Sequence, residues 1–216
     1  MVVWFATGNM HKRDELAFVL SGGMANTGFD LKIPSEAGIA FDPEETGTSF
    51  LENALIKARS LHSRLNTGEG NASWREGDAI IADDSGLCVD ALGGRPGIHS
   101  ARYCGPGKSG RPLAAAEKNS LLLGELGDNP LRRARFACAM VLLYSPDRFF
   151  AAQETLEGEI VRGEAEARGE GGFGYDPILW IPELGRTVAE LSEEEKNRIS
   201  HRGKAGRVIS LILSGG

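Results

Sequence analysis

Residues 2–6 read Val-Val-Trp-Phe-Ala, an apolar run without alternation, which predicts a strand covered on both faces. Thr7-Gly8-Asn9 follows as a tight turn, and Leu16, Val19 and Leu20 recur at helical spacing behind it, so the chain opens as strand, turn and helix. A second strand is expected near residues 31–33, and Glu44-Glu45-Thr46-Gly47 reads as a loop. The clearest helix comes next. Ser49 and Glu52 form a capping box, and Leu51, Ala54, Leu55, Ala58, Leu61 and Leu65 lie on one stripe. Lys57 falls just outside that stripe, where its side chain can leave the core side and enter a neighbouring cleft.

Residues 66–78 are polar and contain glycine, which predicts an exposed loop. Residues 79–82 form a short apolar strand with Asp83 and Asp84 at its C-terminal end, the end at which ligands bind in α/β sheets. A helix is expected over 113–126, ended by Gly127, and long strands over 136–144 and 149–160, joined by a Ser145-Pro146-Asp147 turn. Residues 178–181 give one more strand. Ser192 and Glu195 form a second capping box, and Ala205, Val208, Ile209 and Ile212 are the expected buried stripe of the last helix. No internal repeat and no Pro/Ser-rich linker divides the chain, so residues 1–216 are read as a single α/β domain, with room for two lobes and a cleft.

Composition narrows the partners. At 216 residues, 41% hydrophobic and 25% charged, the chain has an ordinary globular make-up. A net charge of -6 argues against a nucleic-acid polymer as partner, because neutralising a phosphate backbone needs a clustered basic field. A small polyanion remains possible where a few cations gather. Cys88, Cys104 and Cys138 are odd in number and widely spaced, which suits small buried hydrophobes in a reducing compartment rather than disulfides or a metal site. The first residues lack a basic leader pattern, and no apolar run approaches the ~20 residues that span a bilayer, so a cytoplasmic location without a membrane partner is expected.

Three remote blocks carry the candidate chemistry. In Ala6-Thr7-Gly8-Asn9-Met10-His11-Lys12 the turn exposes backbone N–H groups at a helix start, Thr7 and Asn9 add polar side chains and Lys12 a cation, all suited to phosphate; a capped turn is the plain alternative. In Ala82-Asp83-Asp84-Ser85-Gly86-Leu87 the adjacent aspartates point to opposite faces if the segment is extended, so one can hold a hard cation such as Mg²⁺ or take a proton from water. A polar turn is the plain alternative there. Glu44 or Glu45 could add a ligand. In Gly171 to Pro177 the glycines allow close approach, Phe173 and Tyr175 offer stacking faces or core rings, and Asp176 can accept from a base.

The ordered set of blocks resembles the inosine triphosphate pyrophosphatase family. It includes Ala-Thr-Gly-Asn-x-x-Lys-x-x-Glu at 6–15, Glu-Asn-Ala-x-x-Lys-Ala at 52–58, Ala-Asp-Asp-Ser-Gly-Leu at 82–87, the 171–177 block and Ser-His-Arg-Gly at 200–203. The likeness runs from Val3 to about Ile212. It implies an elongated mixed β-sheet flanked by helices, two lobes about a central cleft and a homodimer. The implied reaction is Mg²⁺-dependent cleavage of ITP, dITP, XTP or dXTP to the monophosphate and pyrophosphate. Carried over by position, Thr7, Gly8, Asn9, Met10, His11, Lys12, Lys57, Ser85 and Lys196 contact the triphosphate, and Asp84 is general base and metal ligand with Glu45 or Glu44. Phe173 stacks on the base, and Gly174, Tyr175, Asp176, His201 and Arg202 read its edge. A Maf-like pyrophosphatase and a non-enzymatic nucleotide sensor are the rivals; the 173–176 and 200–203 blocks speak against the first and the intact Asp83-Asp84 pair against the second. Two departures from the family pattern are the length of the 66–78 stretch and Cys104, where serine is common.

Overall fold

In the computed structural model the described residues are 1–21, 29–72, 74–105, 113–172 and 174–215, with the His11 side chain also outside the description. Within them, seven strands form one sheet: β1 (Val2–Phe5), β2 (Asp30–Lys32), β3 (Ala79–Val89), β4 (Arg133–Ser145), β5 (Arg148–Ile160), β6 (Leu179–Ile181) and β7 (Arg186–Thr187), in the order β2-β1-β3-β4-β5-β6-β7. The helices are α1 (Met10–Ser21), α2 (Phe50–Asn66), α3 (Ala115–Leu126), α4 (Glu193–Ile199) and α5 (His201–Leu213). β1 lies parallel to β2 and β3, whereas β6 is antiparallel to β5 and β7, so the sheet is mixed and the α/β class is as expected. The chain divides into two compact units, Met1–Asp84 with Cys138–Glu154 and Arg202–Gly216, and Ser85–Ala137 with Thr155–His201.

The first unit shows why its strands are apolar on both faces. Val3 and Phe5 of β1 and Ala79 and Ile81 of β3 pack with Leu16 and Leu20 of α1 and Ala205 and Ile209 of α5. Trp4, Ile80 and Ala82, the residues in between, pack with Ala54, Ala58, Leu61 and Leu65 of α2. Successive side chains of a strand alternate faces, so a helix layer on each side requires hydrophobes at every position. The second unit has its own core, in which Leu87 and Val89 of β3, Leu122 and Leu126 of α3, and Leu156 and Ile160 of β5 meet Tyr175, Ile178 and Leu179.

Several expectations need correction. The strand starting at Ala79 does not stop at Ala82 but runs to Val89, so Asp83 and Asp84 lie inside it. Pairing with β1 ends at Phe5 opposite Ile81, and β4 is the strand's other neighbour in the sheet. The 66–78 stretch is exposed only in part. Trp74 meets His62 edge-on at 4.7 Å, and buried Asp78 accepts the backbone N–H groups of Val2 and Arg75.

In α5, Ala205 and Ile209 are buried, but Val208 is exposed and Ile212 only half-buried. Gly206 explains the rotation. A Cβ there would come within 2.9 Å of Val19, so α1 and α5 approach closely along the 205–206–209 side and Val208 is turned outward. His201 to Gly203 form the start of α5. The two-residue strand β7 was not foreseen. Of the cysteines only Cys138 is fully buried, while Cys88 and Cys104 are half-exposed. Burial pushes the Cys138 thiol up to about 12.

Two glycines test the packing in opposite senses. A Cβ on Gly86 of β3 would fall 2.3 Å from the Gly97 carbonyl oxygen and 2.4 Å from Ser100 Oγ, the hydroxyl that accepts the Leu87 N–H and donates to Gly97. Gly124 is exposed inside α3, with open space where a Cβ would go. Gly86→Ala should therefore lower unfolding free energy by about 1–3 kcal/mol, the cost of overpacking. Gly124→Ala should raise it by about 0.5–1 kcal/mol, the ordinary helix preference. Urea denaturation of both variants measures the contrast.

Candidate active site

Strand alternation sends Asp83 toward α1 and α5, and Asp84 toward α2. Asp83 accepts from the Lys12 ammonium at 3.1 and 2.9 Å and from Arg202 Nε at 3.3 Å. Arg202 also donates to the carboxylate of Glu15. The result is a row of alternating charge, Lys12–Asp83–Arg202–Glu15, half-buried at its ends and buried in the middle, with the guanidinium only 3% exposed. Burial by itself would raise the Asp83 carboxyl, but Lys12, Arg202 and Lys57 outweigh it and hold the group well below the usual carboxylate range. Burial disfavours the Arg202 charge, and Asp83 and Glu15 reverse that, so the guanidinium stays protonated.

Lys12 reaches this row because of the turn before it. Thr7 Oγ1 accepts the Asn9 N–H at 3.1 Å and Asn9 Oδ1 accepts the Lys12 N–H at 3.3 Å, which starts α1 and points the lysine back across β3. Thr7 is buried, while Gly8, Asn9 and Met10 are exposed. The first block is thus a capped turn that also delivers a cation. A cavity of about 170 Å³ lies beside it, lined by residues 6–9, Lys12, Phe41, Glu45, Lys57 and Asp83.

On the other face, Asp84 Oδ2 accepts from Asn53 Nδ2 at 3.0 Å, and Lys57 Nζ lies 3.5 Å from Asp84 Oδ1 and 2.8 Å from Glu45 Oε1. Asn53 Oδ1 accepts the Gly47 N–H at 2.9 Å, which ties the 44–47 loop to α2. Ser49 caps α2 through the Glu52 N–H, while the Glu52 carboxylate takes the N–H and hydroxyl of Thr48, one residue further back than the box motif calls for. The two glutamates separate: Glu45 is half-buried on Lys57, and Glu44 faces solvent. Burial is the main reason the Asp84 carboxyl is raised; Glu45 adds to it, and Lys57 and Asn53 oppose. Burial also works against the Lys57 charge, but Asp83, Asp84 and Glu45 keep it protonated.

This donor set fits a hard divalent cation. Asp84 and Glu45 aim carboxylate oxygens at a position already chosen by a cation, the Lys57 ammonium. Among the described residues no group of three or more His, Cys, Asp or Glu is ready to hold a metal, so the remaining ligands would come from water and phosphate oxygens, the habit of Mg²⁺.

In the second unit, Asp176 is buried and paired with Lys196 at 2.9 Å. Gly172 has a left-handed φ of 73°, and a Cβ there would sit 2.1 Å from Asp176 Oδ2, so the glycine is what admits the carboxylate. Gly174 accepts from Asn119 Nδ2 at 3.2 Å. Tyr175 takes the core alternative: it is buried, and its hydroxyl donates to the Ser100 carbonyl. His201 stacks on Phe136 at 5.1 Å. Ser85 is half-buried, and Phe173 lies outside the described residues. Arg202, whose expected role is to read a base edge, donates to Asp83 and Glu15 in the first unit.

Comparison with known proteins gives a consistent answer. The Ham1 family profile matches residues 3–210. The chain belongs to the Ham1 family. Among its relatives, the dITP/XTP pyrophosphatase of Treponema denticola is 43% identical, with all of both chains covered, and that of Thioalkalivibrio sulfidiphilus is 45% identical over the same extent. Ham1 proteins of Staphylococcus aureus and Coxiella burnetii have solved structures that superpose with TM-scores of 0.79 and 0.80 at 36% and 35% identity. The first covers 100% of this chain and 99% of the solved one, and the second 100% of both.

Asn53 and Glu15 are fixed positions of the 52–58 and 6–15 motifs of this Ham1 protein, but neither was given a role from the sequence. Each had a positional signal: Asn53 stands four residues before Lys57, and Glu15 three after Lys12, so each shares a helix face with a lysine already chosen.

The paired aspartates should respond oppositely to neutralisation. Asp83→Asn leaves half-buried Lys12 and buried Arg202 without their shared anion and should cost about 3–5 kcal/mol. Asp84→Asn removes a charge that burial disfavours, and without divalent ions should leave stability unchanged or slightly higher. The pH dependence follows the same signs. A depressed folded pKa means that Asp83 contributes stability above its unfolded value near pH ~4, lost as pH falls further. A raised folded pKa means that Asp84 contributes at low pH and loses that contribution as pH rises. Urea titrations of wild type and both variants across pH 3–7, an acid range of about four units spanning the unfolded carboxyl value, read both signs.

Proposed function

We propose that this Ham1 protein hydrolyses non-canonical purine nucleoside triphosphates, ITP, XTP and their deoxy forms, to the monophosphate and pyrophosphate, with Mg²⁺ as cofactor. The observation that carries the reading is the split pair on β3. One aspartate is held as a permanent anion among Lys12 and Arg202, and its neighbour has a raised proton affinity beside Glu45 and two donors. Two like carboxyls whose environments push them apart are the mark of divided acid–base and electrostatic work.

In this reading Asp84 and Glu45 would hold Mg²⁺, which when bound neutralises phosphate charge and acidifies water. Asn53 holds one oxygen of Asp84, and the carboxylate accepts a proton from the water that attacks the α-phosphorus. Pyrophosphate leaves, and the nucleoside monophosphate keeps the new oxygen. Lys12 and Lys57 supply cations to the β- and γ-phosphates, with the N–H groups of residues 7–9 alongside. Asp83 holds Lys12 and Arg202 in place rather than touching the reacting atoms.

Purine selection is assigned to the second unit, with Phe173 as stacking ring and Gly174, Asp176, Lys196 and His201 around the base and phosphates. A donor offered to the 6-carbonyl of hypoxanthine or xanthine is left unmatched by adenine's amino group, a penalty of about 1–3 kcal/mol or roughly ten- to hundredfold. Guanine shares that carbonyl, so its rejection must act at position 2. The family likeness also supports a homodimer. No helix among the described residues is long and apolar enough to cross a membrane. A cytoplasmic site of action belongs to the same proposal.

Initial rates with ITP, XTP, ATP and GTP test the reading. ITP and XTP should lead, and the products from ITP should be IMP and pyrophosphate only when Mg²⁺ is present. Asp84→Asn should lower kcat about 10²- to 10⁴-fold while ITP still binds. Orthophosphate as first product, or undiminished turnover in the variant, would refute it.

A further inference from the structure

Lys57 stands where a divalent ion would have to go. Its ammonium touches Glu45 at 2.8 Å and lies 3.5 Å from Asp84, on a side chain only 11% exposed. Asp83 has contact cations of its own, Lys12 and Arg202, whereas the Lys57 ammonium lies against Glu45 and Asp84. A dication bound to those same oxygens would face a buried like charge at contact range, and one of the two must move. The lysine is the mobile partner, since a four-carbon stem can swing a compact ammonium toward another anion.

Resting on the pyrophosphatase reading above, we infer that Lys57 is a built-in competitor of the metal: it neutralises Glu45 and Asp84 until a divalent ion displaces it, and the displaced ammonium is then free to bind triphosphate. Metal and triphosphate thereby reinforce each other's binding, because each is favoured by the same movement of one charge. By linkage the reinforcement is reciprocal. A lone ion is disfavoured, so the carboxylates and the water-activating position are loaded together with substrate.

The test is metal affinity in the absence of nucleotide, read by electron spin resonance of free Mn²⁺ on the full-length wild type, Lys57→Met and Lys57→Arg. Lys57→Met should bind Mn²⁺ about five- to hundredfold more tightly, the usual range of coupling between two sites. Lys57→Arg keeps the charge and should stay close to wild type. An α,β-methylene analogue of ITP, corrected for Mn²⁺ held by the analogue in solution, should raise wild-type affinity for Mn²⁺ and barely change that of Lys57→Met. Thermal melting gives an independent readout, with Mn²⁺ raising the Lys57→Met midpoint by more than the wild-type one. Equal or weaker Mn²⁺ binding by Lys57→Met overturns the inference. The pyrophosphatase reading would survive that result, because it stands or falls on the products formed from ITP by the wild type.

Discussion

A strand that turns alternate side chains to opposite faces is the constraint on which this site depends. β3 runs through a sheet with α1 and α5 packed on one face and α2 on the other. Ala79 and Ile81 face the first layer, Ile80 and Ala82 the second, and the same parity carries Asp83 to the first and Asp84 to the second. A one-residue slip of register would exchange their surroundings wholesale. Register is fixed by the apolar residues before the aspartates and by pairing with β1, so the hydrophobic core of the first unit determines which aspartate does which job.

Buried charge explains why the local arrangement is stable in a chain with a net charge of -6. The ions of this cluster are paired with opposite sign: Lys12 with Asp83, Arg202 with Asp83 and Glu15, Lys57 with Glu45 and Asp84. An unpaired charge in such a place would cost several kcal/mol, of order the whole stability of a domain when two are stranded. These pairs gather cations at the end of β1 that the overall acidic balance conceals. In the proposed reading, a phosphate group arriving there would meet the Lys12 ammonium and backbone donors already held in position.

Most of the scaffold was legible because its signals are local. The α2 stripe, the Ser49 and Ser192 caps and the apolar runs of β1 and β4 each declare themselves within a few residues. Lys57 at the border of its stripe pointed to its true destination. What stayed hidden depends on partners remote in sequence. Asp-Asp-Ser-Gly reads as a turn until Lys12, Arg202, Asn53 and Lys57 are brought to it, at which point each polar side chain is satisfied inside a strand. Asn53 on a helix surface looks like any solvated amide, and only its two bonds, to Asp84 and to Gly47, reveal that it joins the loop to the strand. Glu44 and Glu45 could not be told apart without knowing that exposure alternates along residues 41–48, leaving Glu44 in solvent and Glu45 half-buried. The outward turn of Val208 follows from a helix crossing at Gly206, which no helical period encodes.

The division of labour between the aspartates is a property of their neighbours rather than of the residues. Asp83, fully compensated by two cations and a third nearby, binds a proton too weakly to work as a base near neutral pH. Asp84 is desolvated to a similar end but compensated less, since Lys57 is shared with Glu45 and Asn53 brings no charge. In the proposed mechanism, this partial compensation is what would let Asp84 accept a proton and attract a metal. Adding a cation on the α2 side would push Asp84 toward the behaviour of Asp83, and removing Lys12 would push Asp83 the other way. The spacing of lysines on the helices around β3 is therefore as much a part of the chemistry as the carboxylates they surround.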